Sequence, residues 1–377
     1  MTLVRPQRGL DSMKPYVPGK PIEEVQREYG LTDVIKLASN ENPMGPSPKA
    51  LAAMQEALSR LNFYPDGQSH YLRSALATHL DVKPEQIAVG NGADGIIMQT
   101  CMAYLDDECE VIVSRSSFPV YDIYTHVMRA KLIKTPLKNY GFDLDAMAGA
   151  INDRTKLIFV CNPNNPTGTM NTAAEVETFM KKVPDHVLVV FDEAYYEFVD
   201  SDVVTNAEYP DTLRYLRQGR KNMLVMRTHS KIYGLAGIRL GYAIADPELL
   251  APLHTVKEPF AVNLLAQAAG IAALEDEEYL KASVAANHVG RLCFYREFER
   301  LGLFHVKSHA NFVLVKVGPR AGQVVQELLK KGVIVRPCTS YDLPEFLRIT
   351  VGSAEQNARL IAALEDVLQT LGADHTA

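Results

Sequence analysis

Residues 228–241 read THSKIYGLAGIRLG and place one lysine, Lys231, between two apolar runs. The runs at 222–227 and 240–245 predict strands on either side of a loop. A lysine between buried strands is poorly solvated, and together with the nearby cation of Arg239 this lowers the pKa of its amine. Because a neutral amine can form an imine with a carbonyl compound, Lys231 is a candidate nucleophile. Taken alone, it fits a solvated surface lysine as well.

The chain before this loop alternates between strand and helix patterns. Strands are predicted from residue 87 onward, most of them followed by a helix, and residues 187–191 form a nearly continuous aliphatic run. This alternation predicts an α/β fold with a mostly parallel sheet and helices on both sides. In such folds ligands bind beyond the carboxyl ends of the strands, where the motifs described below fall.

The composition narrows the classes of function. The net charge of −6 over 377 residues offers no basic field, so we predict no nucleic-acid partner and no membrane partner. The five cysteines show no CxxC spacing, which predicts no metal site, no disulfide framework and a reduced, cytoplasmic location. We also expect no secretory signal and no membrane span, because no apolar run approaches the ~18 residues that a span needs.

A glycine-rich turn, Gly92-Ala93-Asp94, follows the strand predicted near residue 87 and precedes a predicted helix at 96–105. The N–H groups and the dipole at the start of a helix favour a bound anion. An ordinary chain reversal is the alternative for this turn.

Two further strand ends carry polar side chains. Asn165 lies in the run CNPNNPTG (161–168) and could donate a hydrogen bond to a phenolate oxygen, although these residue types also make plain turns. Asp192 follows the aliphatic run, where a carboxylate is costly unless a cation such as a protonated pyridine nitrogen meets it. A helix cap or an internal ion pair would also account for it. Tyr195 could share the phenolate with Asn165. Together with Lys231, these residues predict pyridoxal 5'-phosphate (PLP) as the cofactor.

The order and spacing of these motifs resemble those of the fold-type I PLP-dependent aminotransferases of class I/II. The motifs are NPTG (165–168), DEAY (192–195) and SK (230–231), followed by Arg239. Within that superfamily the chain resembles the histidinol-phosphate aminotransferases. The closer resemblance is carried by SNENP (39–43), YPDG (64–67), GAD (92–94), NPNNPTG (162–168) and LRITVG (347–352). It implies a seven-stranded, mostly parallel sheet flanked by helices, with a smaller α+β domain.

The resemblance also implies a role for each matching residue. Lys231 joins the cofactor covalently and later moves a proton. Asp192 pairs with the pyridine nitrogen, and Asn165 and Tyr195 bind the 3′ oxygen. Phe118 stacks on the pyridine face, where many relatives carry tyrosine; a core phenylalanine is the alternative. The cofactor phosphate is held by Gly92, Ala93, Asp94, Thr228, Ser230 and Arg239, with Tyr64 added by the neighbouring subunit of a homodimer.

Three residues match substrate-binding positions: Arg348 for the substrate anion, Arg336 for the phosphate of histidinol phosphate, and Asn42. A surface ion pair is the alternative for each arginine. The implied reaction moves an amino group between L-histidinol phosphate and 2-oxoglutarate, giving imidazole acetol phosphate and glutamate, a step of histidine biosynthesis. Arginine suits both substrates, because its planar fork binds carboxylate or phosphate bidentately.

The resemblance and the change of pattern after Pro259 predict three regions. Residues 1–40 form an N-terminal arm that joins the small domain, and residues 1–30 within it are expected to be irregular because proline and charge dominate. Residues 41–262 form a large PLP-binding domain. Residues 263–377 form a small C-terminal domain with a loose tail at 372–377.

Other functions share this cofactor site. An aromatic or broad-specificity aminotransferase would need only Arg348, because its substrates carry an α-carboxylate, which histidinol phosphate lacks. A PLP-containing binding or regulatory domain without turnover belongs to a different class, although the sequence contains no helix-turn-helix extension and no basic arm. A lyase or a racemase also stays open, since these enzymes share the cofactor residues.

Overall fold

The computed structural model describes residues 19–199 and 208–373, together with residues 4, 7, 10, 13 and 15. Most of the predicted irregular arm before residue 19 therefore lies outside the described residues. The predicted tail is helical at its first two residues, and residues 374–377 also lie outside.

The secondary structure alternates between helices and strands over most of the chain. Within the described residues the α-helices are α1 (Ile22–Tyr29), α2 (Pro48–Ala57), α3 (His70–Leu80), α4 (Gly92–Tyr104), α5 (Val120–Val127), α6 (Leu144–Gly149), α7 (Ala173–Met180), α8 (Leu213–Arg217), α9 (Pro247–Val256), α10 (Leu264–Leu274), α11 (Glu277–Arg300), α12 (Ala321–Lys330) and α13 (Ala354–Ala373). The strands are β1 (Ile35–Leu37), β2 (Ile87–Asn91), β3 (Glu110–Ser114), β4 (Lys131–Thr135), β5 (Leu137–Lys138), β6 (Gly141–Phe142), β7 (Thr155–Cys161), β8 (Leu188–Asp192), β9 (Met223–Thr228), β10 (Leu240–Ala245), β11 (His305–Val306), β12 (Phe312–Lys316), β13 (Val333–Pro337) and β14 (Phe346–Thr350).

Seven strands form one sheet in the order β2-β10-β9-β8-β7-β3-β4. β10 pairs antiparallel with β2 and β9, and all other neighbours in the sheet pair in parallel. Val189, Val190 and Phe191 of β8 are completely buried, as expected for a central strand covered on both faces. The predicted α/β fold with a mostly parallel, seven-stranded sheet is confirmed.

The topology of this sheet places several strand ends together. Two successive antiparallel pairings restore the chain direction, so β2 runs parallel to β9. The carboxyl ends of β2, β7, β8 and β9 therefore lie along the same edge of the sheet. The segments that leave these four strands carry the glycine turn, the asparagine–proline run, Asp192 and the Lys231 loop.

A second sheet has five strands in the order β1-β13-β14-β12-β11. β1 pairs in parallel with β13, with Ile35 opposite Val333, so a strand from the start of the chain lies in a sheet made otherwise of late residues. The largest hydrophobic cluster packs around the seven-stranded sheet, and a separate cluster packs around the five-stranded sheet.

Two local predictions were wrong, and one helix was not predicted. Residues 22–29 form helix α1 and not an irregular arm; one side of it is buried at Val25, and Gly30 ends it in a left-handed conformation. Helix α9 was not predicted, because Pro252 lies inside it and proline normally interrupts a helix. Helix α4 begins at Gly92 and not at Ile96, so the glycine turn is the first turn of the helix.

No helix among the described residues has both the length and the apolar character needed to cross a membrane. The same part of the chain contains no group of three or more His, Cys, Asp or Glu side chains arranged to hold a metal ion.

Candidate active site

A cleft opens where the carboxyl edge of the large sheet meets the five-stranded sheet. Its walls bring together most of the residues predicted to form the site. The predicted residues that line the cleft are Ala93, Asp94, Phe118, Asn165, Asp192, Tyr195, Thr228, Ser230, Lys231, Arg239, Arg336 and Arg348.

Lys231 enters the cleft from the loop after β9. Its Nζ donates a hydrogen bond to the carbonyl oxygen of Ser39 at 3.1 Å and lies 5.8 Å from the centre of the Tyr195 ring. Burial lowers the pKa of this amine to about 8, and the positive charges of Arg348 and Arg239 act in the same direction. A fraction of the amine is therefore neutral near pH 7, as a nucleophile that attacks a carbonyl requires.

Asp192 ends the central strand β8 and is only 3% exposed. Burial raises the pKa of its carboxyl group to about 6, and hydrogen bonds oppose this shift. The hydroxyl of Tyr121 donates to Oδ2, and the backbone N–H of Ala194 donates to Oδ1 at 3.1 Å. A carboxylate at the bottom of a cleft, without an ion pair to a described side chain, fits a cationic ring nitrogen brought by a ligand.

The opposite end of the cleft has the features of an anion site. Arg239 reaches across from the start of β10, and its guanidinium lies 3.0 Å from a carboxylate oxygen of Asp94 in the first turn of α4. The hydroxyl oxygens of Thr228 and Ser230 are 2.9 Å apart beside it. A helix N-terminus, two hydroxyls and an arginine are groups that hold a phosphate.

Gly92 contributes to this end in a different way from the one predicted. Its N–H donates to the carbonyl oxygen of Arg239 at 3.1 Å, so this amide is already engaged. A Cβ at Gly92 would lie 2.5 Å from Nη2 of Arg239, and its φ of +73° favours glycine. Gly92 therefore makes room for Arg239, and the amides of Ala93 and Asp94 are the better candidates for an anion.

Asn165 and Tyr195 lie on the wall between the two ends. Arg348 donates to Oδ1 of Asn165, which leaves the NH₂ group of Asn165 as the end that can donate to a ring oxygen. The hydroxyl of Tyr195 accepts a hydrogen bond from Nδ2 of Asn40 at 2.9 Å, so its own proton can be donated elsewhere. Asn40 also accepts a hydrogen bond from Thr350 of the five-stranded sheet at 3.2 Å.

Arg336 and Arg348 face each other across neighbouring strands. They are directly paired in the antiparallel register of β13 and β14, both line the cleft, and they are 7% and 5% exposed. Two like charges at opposed positions repel one another, and a bound dianion would relieve that repulsion.

Three predicted site residues do not line this cleft: Gly92, which lies beneath Arg239, Asn42 and Tyr64. Asn42 donates to the carbonyl oxygen of Ile232 at 2.9 Å and to Ser283 at 3.1 Å, and it caps the N–H of Met44. It fixes the loop before α2 and does not face the cleft. Tyr64 is 82% exposed and stacks on Phe260, with ring centres 4.5 Å apart.

Residues 32–364 match the family described as "Aminotransferase class I and II". The chain belongs to this aminotransferase family. The histidinol-phosphate aminotransferase of Moorella thermoacetica is 49% identical over 367 residues, which cover 97% of this chain and 94% of that protein.

This aminotransferase has the same fold as solved aminotransferase structures. The crystal structure of histidinol-phosphate aminotransferase from Sinorhizobium meliloti, in complex with pyridoxal-5'-phosphate, superposes with a TM-score of 0.87 at 29% identity and covers 98% of this chain and 99% of that one. A mutant aspartate aminotransferase of Thermus thermophilus has a TM-score of 0.83 at 23% identity, covers 97% of this chain and 100% of that one, and shows the shared fold alone.

Several residues that shape the aminotransferase cleft were not predicted. They are Gly19, Ala38, Ser39, Asn40, Cys161, Ala194 and Tyr341, which line it, and Tyr121, which contacts Asp192 from behind. Asn40 lies in the SNENP motif at 39–43. Its φ of +56° is a conformation that asparagine tolerates better than most residues. Tyr121 left no signal in the sequence, because its contact with Asp192 spans 71 positions.

Proposed function

We propose that this aminotransferase uses PLP to transfer the amino group of L-histidinol phosphate to 2-oxoglutarate, giving imidazole acetol phosphate and glutamate. The observation that carries the choice of substrate is the opposed pair Arg336 and Arg348 on the cleft wall. The names of the curated relatives support the same substrate.

The residues present fit PLP at both ends of the cofactor. Lys231 would bind its aldehyde carbon, and Asp192 would accept a hydrogen bond from its protonated ring nitrogen. Asn165 and Tyr195 would donate to its 3′ oxygen, which their remaining hydrogen-bonding groups allow. When bound, the protonated ring withdraws electrons from the substrate carbon that loses a proton. The phosphate would be held by Ala93, Asp94, Thr228, Ser230 and Arg239, with Phe118 beside the ring.

Lys231 would carry the proton that moves during the reaction. Its amine would take the proton from the substrate Cα and return it to the cofactor carbon C4′, as a positioned general base and acid. A base performs best when its pKa is close to the working pH, and a pKa of about 8 meets that condition. The Ser39 carbonyl oxygen and the Tyr195 ring keep the amine in the cleft.

The paired arginines would select the second anionic group of each substrate. Histidinol phosphate and the dicarboxylates both carry one, and a guanidinium can bind either group through two parallel hydrogen bonds. Arg348 is anchored by the Ala38 carbonyl oxygen at 2.6 Å and by Asn165. Arg336 lies 5.9 Å from the centre of the Tyr341 ring, which also lines the cleft.

Two measurements test the proposal. Borohydride reduction of the purified protein should leave a cofactor adduct on the peptide that contains Lys231, detected by mass spectrometry. Specific activity should be higher with histidinol phosphate than with phenylalanine or tyrosine, with 2-oxoglutarate as acceptor. An unmodified Lys231 peptide would overturn the cofactor assignment, and a preference for the aromatic amino acids would favour the broad-specificity alternative.

We further propose a homodimer in which Tyr64 contacts the cofactor phosphate of the neighbouring subunit. Exposed apolar side chains follow one another at Leu58, Leu61, Phe63 and Tyr64, and Phe260 stacks on Tyr64. An exposed apolar region of this kind marks a protein interface. Since Tyr64 does not line the cleft of its own chain, a role for it at the cofactor requires a second subunit.

We also propose a cytoplasmic location and the division into an arm at 1–40, a large domain at 41–262 and a small domain at 263–377. All five cysteines are free thiols, which suits a reducing compartment. The separate hydrophobic clusters around the two sheets support two domains, and β1 supports the assignment of the arm to the second. Ala266, Ala269 and Ala273 of α10 pack in the cluster of the large sheet, so that cluster continues past residue 262.

A further inference from the structure

Tyr121 lies directly behind the carboxylate at the bottom of the cleft. It is the second residue of α5 and is fully buried. Its hydroxyl donates to Oδ2 of Asp192, while the N–H of Ala194 donates to Oδ1. Each carboxylate oxygen therefore has one donor on the protein side, and the remaining lone pairs face the cleft.

The environment of Asp192 makes these donors important. Burial disfavours its charge, and the negative charges of Asp94 and Glu193 act in the same direction. The hydroxyl of Tyr121 is the largest opposing influence, followed by the N–H of Ala194. Without the hydroxyl, the pKa of Asp192 would rise and the carboxyl group would hold its proton more strongly.

Tyr121 is also held in a single orientation. Its ring stacks on Phe159 with centres 4.5 Å apart, and the edge of Phe118 packs against it at 5.7 Å. Burial and the neighbouring Asp192 and Cys161 raise the pKa of its hydroxyl, so the group stays a donor over the working pH range.

We propose that Tyr121 is a positioning residue that keeps Asp192 ionised and aimed at the ring nitrogen of the cofactor, an inference that rests on the proposed function. Tyr121 lies outside the cleft lining and acts only through Asp192. A core tyrosine that merely fills space is the competing explanation, and it would not alter the electronic state of the cofactor.

Tyr121→Phe removes the hydroxyl and keeps the ring. We expect the dissociation constant of PLP from the cofactor-free protein to rise by up to about tenfold near neutral pH, because an Asp192 that holds its proton more strongly pairs less well with the ring nitrogen. The pH midpoint of the visible absorption of the bound cofactor should rise by roughly half a unit to one unit. A ring that is less protonated withdraws electron density less strongly. The nitrogen that joins the cofactor to Lys231 would then have a higher pKa, which is why the midpoint should rise.

Tyr104→Phe is the matched control. Its hydroxyl donates to the carbonyl oxygen of Leu249 at 2.7 Å, and it lies at the far end of α4 from the anion site. It should lower stability to an extent similar to Tyr121→Phe and leave the dissociation constant and the midpoint unchanged. Replacement of Tyr121 by 3-fluorotyrosine, whose hydroxyl is the stronger donor, should move the midpoint down and serves as the test if the phenylalanine variant does not fold.

The outcomes distinguish a failure of this inference from a failure of the proposed function on which it rests. Suppose that wild-type protein binds PLP and transaminates. If Tyr121→Phe then matched Tyr104→Phe in both the PLP dissociation constant and the pH midpoint, only the role of Tyr121 would be overturned. A 3-fluorotyrosine protein with an unmoved midpoint would do the same. Wild-type protein that forms no PLP adduct at Lys231 would overturn the proposed function itself.

Discussion

Burial acts on Lys231 and Asp192 in the same physical sense. It disfavours the charged form of each, which lowers the pKa of the lysine to about 8 and raises that of the aspartate to about 6. Near pH 7 the aspartate is mostly ionised, and about a tenth of the lysine is neutral. One cleft therefore contains both a nucleophilic amine and a carboxylate able to pair with a cationic ring.

The charge of Asp192 should be measurable in the cofactor-free protein. Its pKa is raised from 3.8 to about 6 on folding, so its contribution to stability is fully present below pH 3.8 and is lost as the pH rises through 6. Asparagine does not titrate, so Asp192→Asn avoids that loss. The free energy of unfolding of the variant, relative to that of wild type, should therefore increase by about 2 kcal/mol from about pH 4.5 to about pH 7.5. Urea unfolding of both proteins at the two pH values measures this. The prediction would be contradicted if variant and wild type differed in unfolding free energy by the same amount at both pH values.

Arg336 should distinguish the substrates. Arg336→Ala is expected to raise KM for histidinol phosphate by about tenfold to a hundredfold, because a charged hydrogen bond to the phosphate is lost, and to change KM for phenylalanine little. Steady-state kinetics with both substrates provides the measurement.

Arg296→Ala is the control for that experiment. Arg296 is a surface arginine of α11, with a side chain 73% exposed and an ion pair to Glu297, and its loss should leave both KM values unchanged. Equal losses for both substrates in Arg336→Ala would count against histidinol phosphate as the selected substrate.

At the scale of elements, the junction between β2 and α4 is the most sensitive to a small change. The strand leads into the helix without an intervening loop, and Arg239, the residue before β10, lies against Gly92 in the first turn. The start of the helix, the Arg239 guanidinium and the edge of the sheet thus meet at Gly92.

Gly92→Ala should weaken PLP binding and destabilise the protein by about 1–3 kcal/mol. The new Cβ would meet the Arg239 guanidinium at 2.5 Å, and φ is +73°. Gly95→Ala, one turn on, is the paired control: its nearest neighbour is at 3.4 Å, and alanine is the better helix former by up to about 1 kcal/mol. PLP titration and thermal unfolding of both variants test this, and equal effects would refute the steric argument.

At the scale of the whole molecule, the site belongs to two sheets. Asn40 joins Tyr195 after β8 to Thr350 in β14, and Arg348 in β14 contacts Asn165 after β7. Arg336 and Arg348 therefore lie on the five-stranded sheet, whereas Asn165, Asp192 and Lys231 lie at the carboxyl edge of the seven-stranded sheet. Relative movement of the two sheets would change the distance between these two sets of side chains.

A mixing experiment tests whether the site also needs a second chain. Lys231→Ala and Tyr64→Ala should each be nearly inactive alone. Hybrids formed from the two variants should regain activity, because one cleft of each hybrid combines an intact Lys231 with an intact Tyr64 from the partner. Activity assays after subunit exchange, with sedimentation to verify the dimer, provide the measurement. Hybrids without recovered activity would show that Tyr64 does not act across the interface.

The sequence alone was enough to predict the α/β fold and most of the cleft, and the reason is local. Asp192, Asn165 and Lys231 each follow an apolar strand in a short, chemically distinctive motif, and the carboxyl ends of parallel strands meet at one edge. The direction of each strand was therefore enough to predict that these residues lie close together, and no long-range contact had to be known.

The tertiary structure decided everything that depends on contacts between distant segments. Asn42 lies in the same motif as Asn40, but the turn of the backbone directs Asn40 into the cleft and Asn42 into the loop before α2. Gly92 matters for the space that it leaves to Arg239. Tyr121 reaches Asp192 only because α5 packs on β3 and β4 and places the Tyr121 ring on Phe159 of β7. These outcomes depend on side-chain packing and on satisfying buried polar groups, which a motif in a single segment does not encode.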